Sequence, residues 1–144
     1  MMDTTLATLA KIVRRESRSL LQYVHEAFPW TTSEEQDALG IVQELVREEL
    51  ASAALLARYL AKHKAPVPYL GPFPMSFTTI NFISLQHLLP MLVDWEKRAA
   101  AELEQDLAAL PDPEARRLVN DLLAQKRRHL EKLHKLQAPP AQAA

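Results

Sequence analysis

Two adjacent glutamates interrupt an otherwise apolar run in LVREELASAALL, residues 45–56. Glu49 follows Val46 by three residues and precedes Ala53 by four, so on a helix it falls on the apolar stripe, while Glu48 belongs to the neighbouring row. A carboxylate on that face must pair, take up a proton or hold a cation, because an unpaired charge in a core is costly. Glu49 is therefore the stronger candidate for an internal site.

Other helical segments also carry polar residues on inward rows. Glu16 lies on the apolar row of the first segment, His129 shares an inward row with Gln125, and Asp94 continues a half-apolar row. Antiparallel neighbours would bring Glu16 and Glu49 to heights within about one turn of 5.4 Å. We predict a polar layer of Glu16, Glu49, Asp94 and His129. Carboxylates with imidazole suit iron, manganese or zinc.

Each of these residues also has an interpretation without a ligand. The glutamates could form local ion pairs with nearby arginines, and the stem of Glu16 could simply cover apolar surface. His129 lies in the basic run KRRHLEK and could be a boundary histidine. His87 and Met91 are residue types that can ligate haem iron, but one pair on one helix cannot flank an iron and no C-x-x-C-H motif exists. Haem is not expected.

Prolines divide the chain into four predicted helices, at about 3–28, 33–63, 77–110 and 113–136. Thr32 and Asp112 are predicted caps, and Pro90 predicts a kink or a late start of the third helix. The proline-rich, apolar segment 64–76 is predicted to be an extended crossover. Residues 1–137 form one expected domain, and residues 138–144 a flexible tail.

Short connections within each pair of helices, and a long one between the pairs, specify the topology. We predict an all-α fold: an antiparallel four-helix bundle of two helical hairpins joined by the long proline-rich crossover. With 144 residues and 48% hydrophobic residues, the chain can bury one core.

The composition excludes several function classes. A net charge of −1 with interspersed signs gives no footprint for nucleic acid or anionic membrane, and no apolar run approaches a bilayer span. No cysteine is present, so thiolate metal sites are excluded, and with no signal peptide recognised a cytoplasmic location is expected. Two glycines and no phosphate-loop or triad pattern argue against nucleotide binding and nucleophilic catalysis.

This layout resembles the ferritin-like superfamily, whose dimetal centres lie at mid-bundle between carboxylates and two E-x-x-H motifs. By position, Glu16, Glu49 and His129 match ligands of that family. The motifs themselves are degenerate, because Ser52 stands where the second helix would carry histidine and Lys126 where the fourth would carry glutamate. The resemblance therefore implies the fold without a standard two-metal site.

Two functions are consistent with these residues. The first is a non-catalytic binding or structural module, expected as a homodimer and without a cofactor. The alternative is a metal-binding ferritin-like oxidoreductase or iron-handling protein that uses a reduced carboxylate and histidine site. The apolar residues of the stretch 69–82 are expected either to complete the core or to form a partner surface.

Overall fold

The computed structural model of the protein describes residues 2–26, 29, 31–66, 68–80 and 83–137. Within these residues every secondary-structure element is a helix and there is no β-strand, which confirms the all-α prediction. Short 3₁₀ helices occupy Ser33–Glu35 and Met75–Ile80. The α-helices are α1 (Met2–Ser17), α2 (Leu20–Glu26), α3 (Gln36–Lys62), α4 (Leu85–Ala108) and α5 (Pro113–Gln137).

The first predicted helix is split in two. The chain leaves helical geometry at Arg18 and Ser19, where the buried Ser19 hydroxyl accepts a hydrogen bond from the Gln22 amide at 3.2 Å. A serine that binds the amide three residues ahead is a typical helix N-cap, so α2 starts anew at this point. The predicted end of this helix at residues 27–28 and the predicted tail 138–144 lie outside the described residues.

The third predicted helix begins at Leu85, eight residues later than residue 77. The Ser84 hydroxyl accepts a hydrogen bond from the His87 amide at 3.3 Å and caps it. Pro90 lies inside α4, in its second turn, so the helix starts later than residue 77 but before the proline. Asp112 caps α5 as predicted, because its Oδ2 accepts the Ala115 amide at 3.0 Å.

Between α3 and α4 the described residues 65–66 and 68–74 are not helical. Gly71 has a φ of 70°, a left-handed conformation that glycine adopts without strain. The Gly71 carbonyl oxygen accepts a 2.7 Å hydrogen bond from Arg18 Nε. This contact joins the non-helical segment to the break between α1 and α2. Tyr69 and Met75 remain 80% and 84% exposed, whereas Phe77 is buried, so the aromatic stretch is divided between core and surface.

The helices enclose two buried apolar clusters. α1 and α2 pack against α3, α4 packs against α5, and α3 also packs against α5. One cluster contains Val46, Val93 and Leu133, and the other contains Val13, Leu56 and Leu123. Each of α3, α4 and α5 contributes residues to both clusters, and so does the pair α1 and α2. In each case a short stretch of chain separates the residues of one cluster from those of the other. Those intervals hold the buried charged residues of the site. None of the described helices has the length and apolar character needed to cross a membrane.

Candidate functional site

Five charged or titratable side chains meet in the interval between the two apolar clusters. Each is at most 2% exposed. Three are carboxylates on different helices, and two lie one turn apart on α5. They are Glu16 on α1, Glu49 on α3, Glu96 on α4, and Lys126 and His129 on α5.

Lys126 occupies the centre of this group. Its ammonium Nζ donates hydrogen bonds to Glu49 Oε1 at 2.9 Å and to Glu96 Oε2 at 3.2 Å. It also lies 2.5 Å from Glu16 Oε1, an ion pair that lacks hydrogen-bond geometry. A lysine is almost never fully buried unless it is paired, and here three carboxylates from three helices pair with it.

His129 links this buried group to the surface. Its Nδ1 lies 2.8 Å from Glu49 Oε2, and its Nε2 lies 2.7 Å from Glu48 Oε1. Both ring nitrogens of His129 therefore face carboxylate oxygens, which accept hydrogen bonds. The Glu48 side chain is 39% exposed, and it connects the interior to solvent through the imidazole ring.

Burial and neighbouring charges act in opposite directions on these groups. Burial raises the pKa of Glu49, but the Lys126 ammonium and hydrogen bonds from Glu96 and His129 outweigh it, so the net pKa is lowered and Glu49 is ionised. Burial also lowers the pKa of Lys126, yet the surrounding carboxylates raise it well above the ordinary value. The centre is therefore a firmly charged pair of Lys126 and Glu49.

The pKa values of the other two carboxyls are raised, which shifts both groups towards their neutral forms. Burial raises the pKa of Glu96 well above its ordinary value, and the Glu49 charge adds to this, while Lys126 only partly compensates. Burial raises the pKa of Glu16 in the same way, against the attraction of Lys126. Glu96 Oε1 is buried without a hydrogen-bond partner among the described residues, which is less costly for a neutral carboxyl than for an ionised one.

Three of the four residues predicted for the polar layer lie together: Glu16, Glu49 and His129. Asp94 does not join them, because its side chain is 71% exposed and pairs with Arg98 at 3.5 Å on the same helix. Glu96 takes the α4 position instead. Asp94 and Glu96 are two positions apart, which is about 200° around the helix, so only one of them can face inward.

The sequence reasoning missed Glu96 and Lys126 as inward residues, although the spacing contained a signal. Glu96 follows Leu92 by four residues and Val93 by three, and precedes Ala99 by three. Lys126 likewise follows Leu122 by four and precedes His129 by three. Gln125, which we predicted to share the inward row of His129, is half-buried and accepts a hydrogen bond from the Ser52 hydroxyl at 3.0 Å.

A metal-ligating subset exists within the group. Three side chains each offer one ligand atom, and these atoms lie within 4.8 Å of one another, so they could hold a metal ion. The three are Glu49, Glu96 and His129. The donor set of two carboxylates and an imidazole suits zinc, iron or manganese. Every one of these side chains is, however, already bonded to another group: Lys126 binds both carboxylates, and the two glutamates of α3 bind the imidazole.

His87 and Met91, the pair considered for haem in the sequence, lie outside this group. His87 Nδ1 is 2.7 Å from the Ser84 hydroxyl at the start of α4, and Met91 is 39% exposed on the same helix. Both residues are therefore on the surface of α4.

Comparison with known proteins found no significant match to a family model, a curated protein or a solved structure. The likeness to the ferritin-like superfamily accordingly stays a prediction from the sequence layout.

Proposed function

We propose that this chain is a ferritin-like helical bundle without a complete dimetal centre, and that it acts as a non-catalytic binding or structural module. The observation that carries the proposal is the position of Lys126. Its ammonium lies within 3.2 Å of carboxylate oxygens from Glu16, Glu49 and Glu96. A fixed positive charge of the chain thus stands among the carboxylates that a metal cation would need.

The charge balance of the group supports this proposal. Three ionised carboxylates and one ammonium would leave a net charge of −2 in a buried site, because −3 and +1 sum to −2. The raised pKa values of Glu16 and Glu96 shift both carboxyls towards their protonated forms, and protonation of both would bring the net charge of Lys126 and the three carboxyls to zero. The group can therefore reach neutrality with protons and Lys126, without a metal ion.

The two degenerate motif positions also support it. Lys126 replaces the glutamate of the last E-x-x-H motif and points into the carboxylates. Ser52 replaces the histidine of the other motif and donates its hydroxyl hydrogen to Gln125 at 3.0 Å. The Gln125 amide in turn donates to the Glu48 carbonyl oxygen at 3.4 Å. The side chains at both positions thus stabilise the packing of α3 on α5.

The experiment is metal analysis by mass spectrometry on protein purified without chelator or tag, before and after anaerobic loading with iron(II). We expect substoichiometric metal in the wild type. Lys126→Glu restores a Glu-x-x-His sequence and removes the competing ammonium, so this variant is expected to gain bound metal. Lys132→Glu, an exposed change on the same helix, is the matched control and should gain none.

A wild-type protein that retains near-stoichiometric iron, manganese or zinc, and loses it in Glu49→Ala, would overturn the proposal. Circular dichroism of each variant establishes that a missing metal is not a consequence of unfolding. Lys126→Met provides a second variant that removes the ammonium without adding a carboxylate. It is expected to bind metal more weakly than Lys126→Glu but more strongly than the wild type.

The second candidate function is metal binding by Glu49, Glu96 and His129, favoured by the mutual proximity of their ligand atoms. Metal–oxygen bonds of about 2.0–2.2 Å would place the ion where Lys126 now approaches both carboxylates. The ammonium would then have to move away or lose its proton, and His129 would have to give up one hydrogen bond. These competing contacts are the reason for ranking this function second.

A further inference from the structure

A cavity of about 270 Å³ lies at the end of the bundle where α1 and α5 both begin. It is lined by Met2, Thr5, Pro111, Asp112 and Pro113, and we call it the end cavity. The methionine and the two prolines form apolar walls and are exposed, so the cavity is open to solvent. Cavities that hold drug-sized ligands measure about 300–1,000 Å³, so this one suits a shorter molecule.

Thr5 brings a polar atom without a hydrogen-bond partner to the end cavity. Its side chain is 0% exposed, and its Oγ1 has no hydrogen-bond partner among the residues that the structure describes. Most buried polar side-chain atoms are paired, and an unpaired one is costly. A hydrogen-bonding group inside the cavity would supply the missing partner.

Asp112 brings a negative charge to the same cavity. Its Oδ2 accepts hydrogen bonds from the Ala115 amide at 3.0 Å and from the Tyr59 hydroxyl at 2.9 Å. These donors lower the pKa of Asp112, so the carboxyl is ionised at neutral pH. Within the described part of the chain it forms no ion pair with a basic side chain. The start of a helix carries about half a positive charge, which the full charge of the carboxylate exceeds.

We propose that the end cavity binds a short primary alkylammonium ion. The ammonium donates hydrogen bonds to the Asp112 carboxylate and to Thr5 Oγ1, and the alkyl chain packs against the methionine and proline walls. A charged hydrogen bond is stronger than a neutral one, so an ammonium is favoured over a neutral alcohol of the same length. An anionic molecule would meet the like charge of Asp112.

The end cavity is separate from the buried charged group around Lys126. Thr5 precedes Glu16 by eleven residues, which corresponds to about 16 Å along α1. The inference is therefore independent of whether Lys126 excludes a metal ion, and its test uses no metal.

The experiment is a titration of the full chain with n-butylammonium chloride, followed by NMR of the methyl groups of Met2 and Thr5. Sodium chloride at equal concentrations controls for ionic strength, and n-butanol is the neutral probe of the same length. We expect saturable shifts at both methyl groups with a dissociation constant in the millimolar range, about what five non-hydrogen atoms support. n-Butanol should bind at least about tenfold more weakly.

Two variants test the polar contacts. Asp112→Asn removes the charge but keeps a residue that caps helices equally well, so it should weaken n-butylammonium binding at least about tenfold. Thr5→Val keeps the shape of the side chain and removes the hydroxyl, so it should weaken binding about three- to tenfold. Asp121→Asn, which removes an exposed charge elsewhere on α5, is the matched control and should leave binding unchanged.

Circular dichroism checks that each variant remains helical. The proposal is overturned if n-butylammonium gives no saturable shift in the wild type, or if n-butanol binds equally well. It is also overturned if Asp112→Asn binds n-butylammonium as tightly as Asp121→Asn does. Unchanged binding in Thr5→Val overturns the hydrogen bond to the hydroxyl.

Discussion

Replacing Lys126 by methionine removes the positive charge at the centre of the buried group while retaining an unbranched side chain of similar length. Three carboxyls then lose their shared cation, and Glu49 loses the attraction that outweighs its burial. Removing one partner of a buried ion pair is far more costly than replacing the whole pair by apolar residues, because the remaining charge is left uncompensated. We expect strong destabilisation at neutral pH.

The magnitude follows from the contacts of the ammonium. It donates two hydrogen bonds to carboxylates, and bonds to charged groups contribute about 1.5–3 kcal/mol each, which gives a loss of about 3–6 kcal/mol. The variant no longer buries an ammonium, and Glu49 can take up a proton, so both effects reduce that loss. We therefore expect the free energy of unfolding to fall by about 3 kcal/mol at pH 7, near the lower end of the range for a broken buried pair.

The loss depends on pH in a defined direction. In the wild type the lowered pKa of Glu49 contributes stability that is present above its ordinary pKa of 4.5 and disappears as the pH falls through the folded value. In the variant, burial without the ammonium raises that pKa, so the folded state holds more protons than the unfolded state above the ordinary value. Stability of the variant therefore falls as the pH rises. The difference from the wild type should therefore be complete at neutral pH, shrink as the pH falls below 4.5, and be smallest at strongly acidic pH, below the lowered pKa of Glu49 in the folded state.

Urea unfolding followed by circular dichroism at several pH values measures both quantities. Lys132→Met removes an exposed lysine from the same helix and should change stability by less than about 0.5 kcal/mol. Adding Glu49→Gln to Lys126→Met removes the orphaned charge and should recover part of the loss, since contacting residues are not additive. The reasoning is refuted if Lys126→Met matches the wild type at neutral pH, or if its deficit is the same at every pH.

Two further substitutions follow from the same contacts. Glu96 has a raised pKa, so its contribution to stability is complete below pH 4.5 and is lost as the pH rises through the pKa of the folded state. Glu96→Gln should therefore make the free energy of unfolding less dependent on pH across that interval, measured in the same urea series. The exposed Asp94→Asn is the control and should keep the pH profile of the wild type. Asp112→Ala removes the cap of α5 and the 2.9 Å acceptor of the Tyr59 hydroxyl, so it should lower the midpoint of thermal or urea unfolding. An unchanged midpoint would contradict the capping role.

Local sequence features determined the helical content and several helix boundaries. Asp112 before Pro113 specifies a helix start from the chemistry of one turn, and the structure places α5 at Pro113 as predicted. The split between α1 and α2 was missed, because the apolar periodicity continues across it. The break is stabilised by the Ser19 hydroxyl and by the distant Gly71 carbonyl oxygen, which accepts from Arg18. Periodicity does not reveal such contacts.

The sequence also determined which residues of α1 and α3 carry an inward charge. Glu16 and Glu49 lie on the apolar rows of their helices, and both are buried at the centre. The choice between Asp94 and Glu96 was different, because each borders apolar residues on a different side of α4. Only the packing of α4 against α5 and α2 decides which side is covered. The residue of α4 that faces inward therefore depends on how three helices pack, and the sequence of α4 alone does not decide it.

The tertiary structure alone decided the role of Lys126. Along the chain it is the first of three consecutive cations in the basic run KRRHLEK, and lysine is ordinarily a surface residue. Its burial becomes favourable only when carboxylates from three other helices converge on one point, since the attraction of each offsets part of the cost of leaving water. No local pattern encodes that convergence, because the four groups are distant in sequence and meet only when the helices pack.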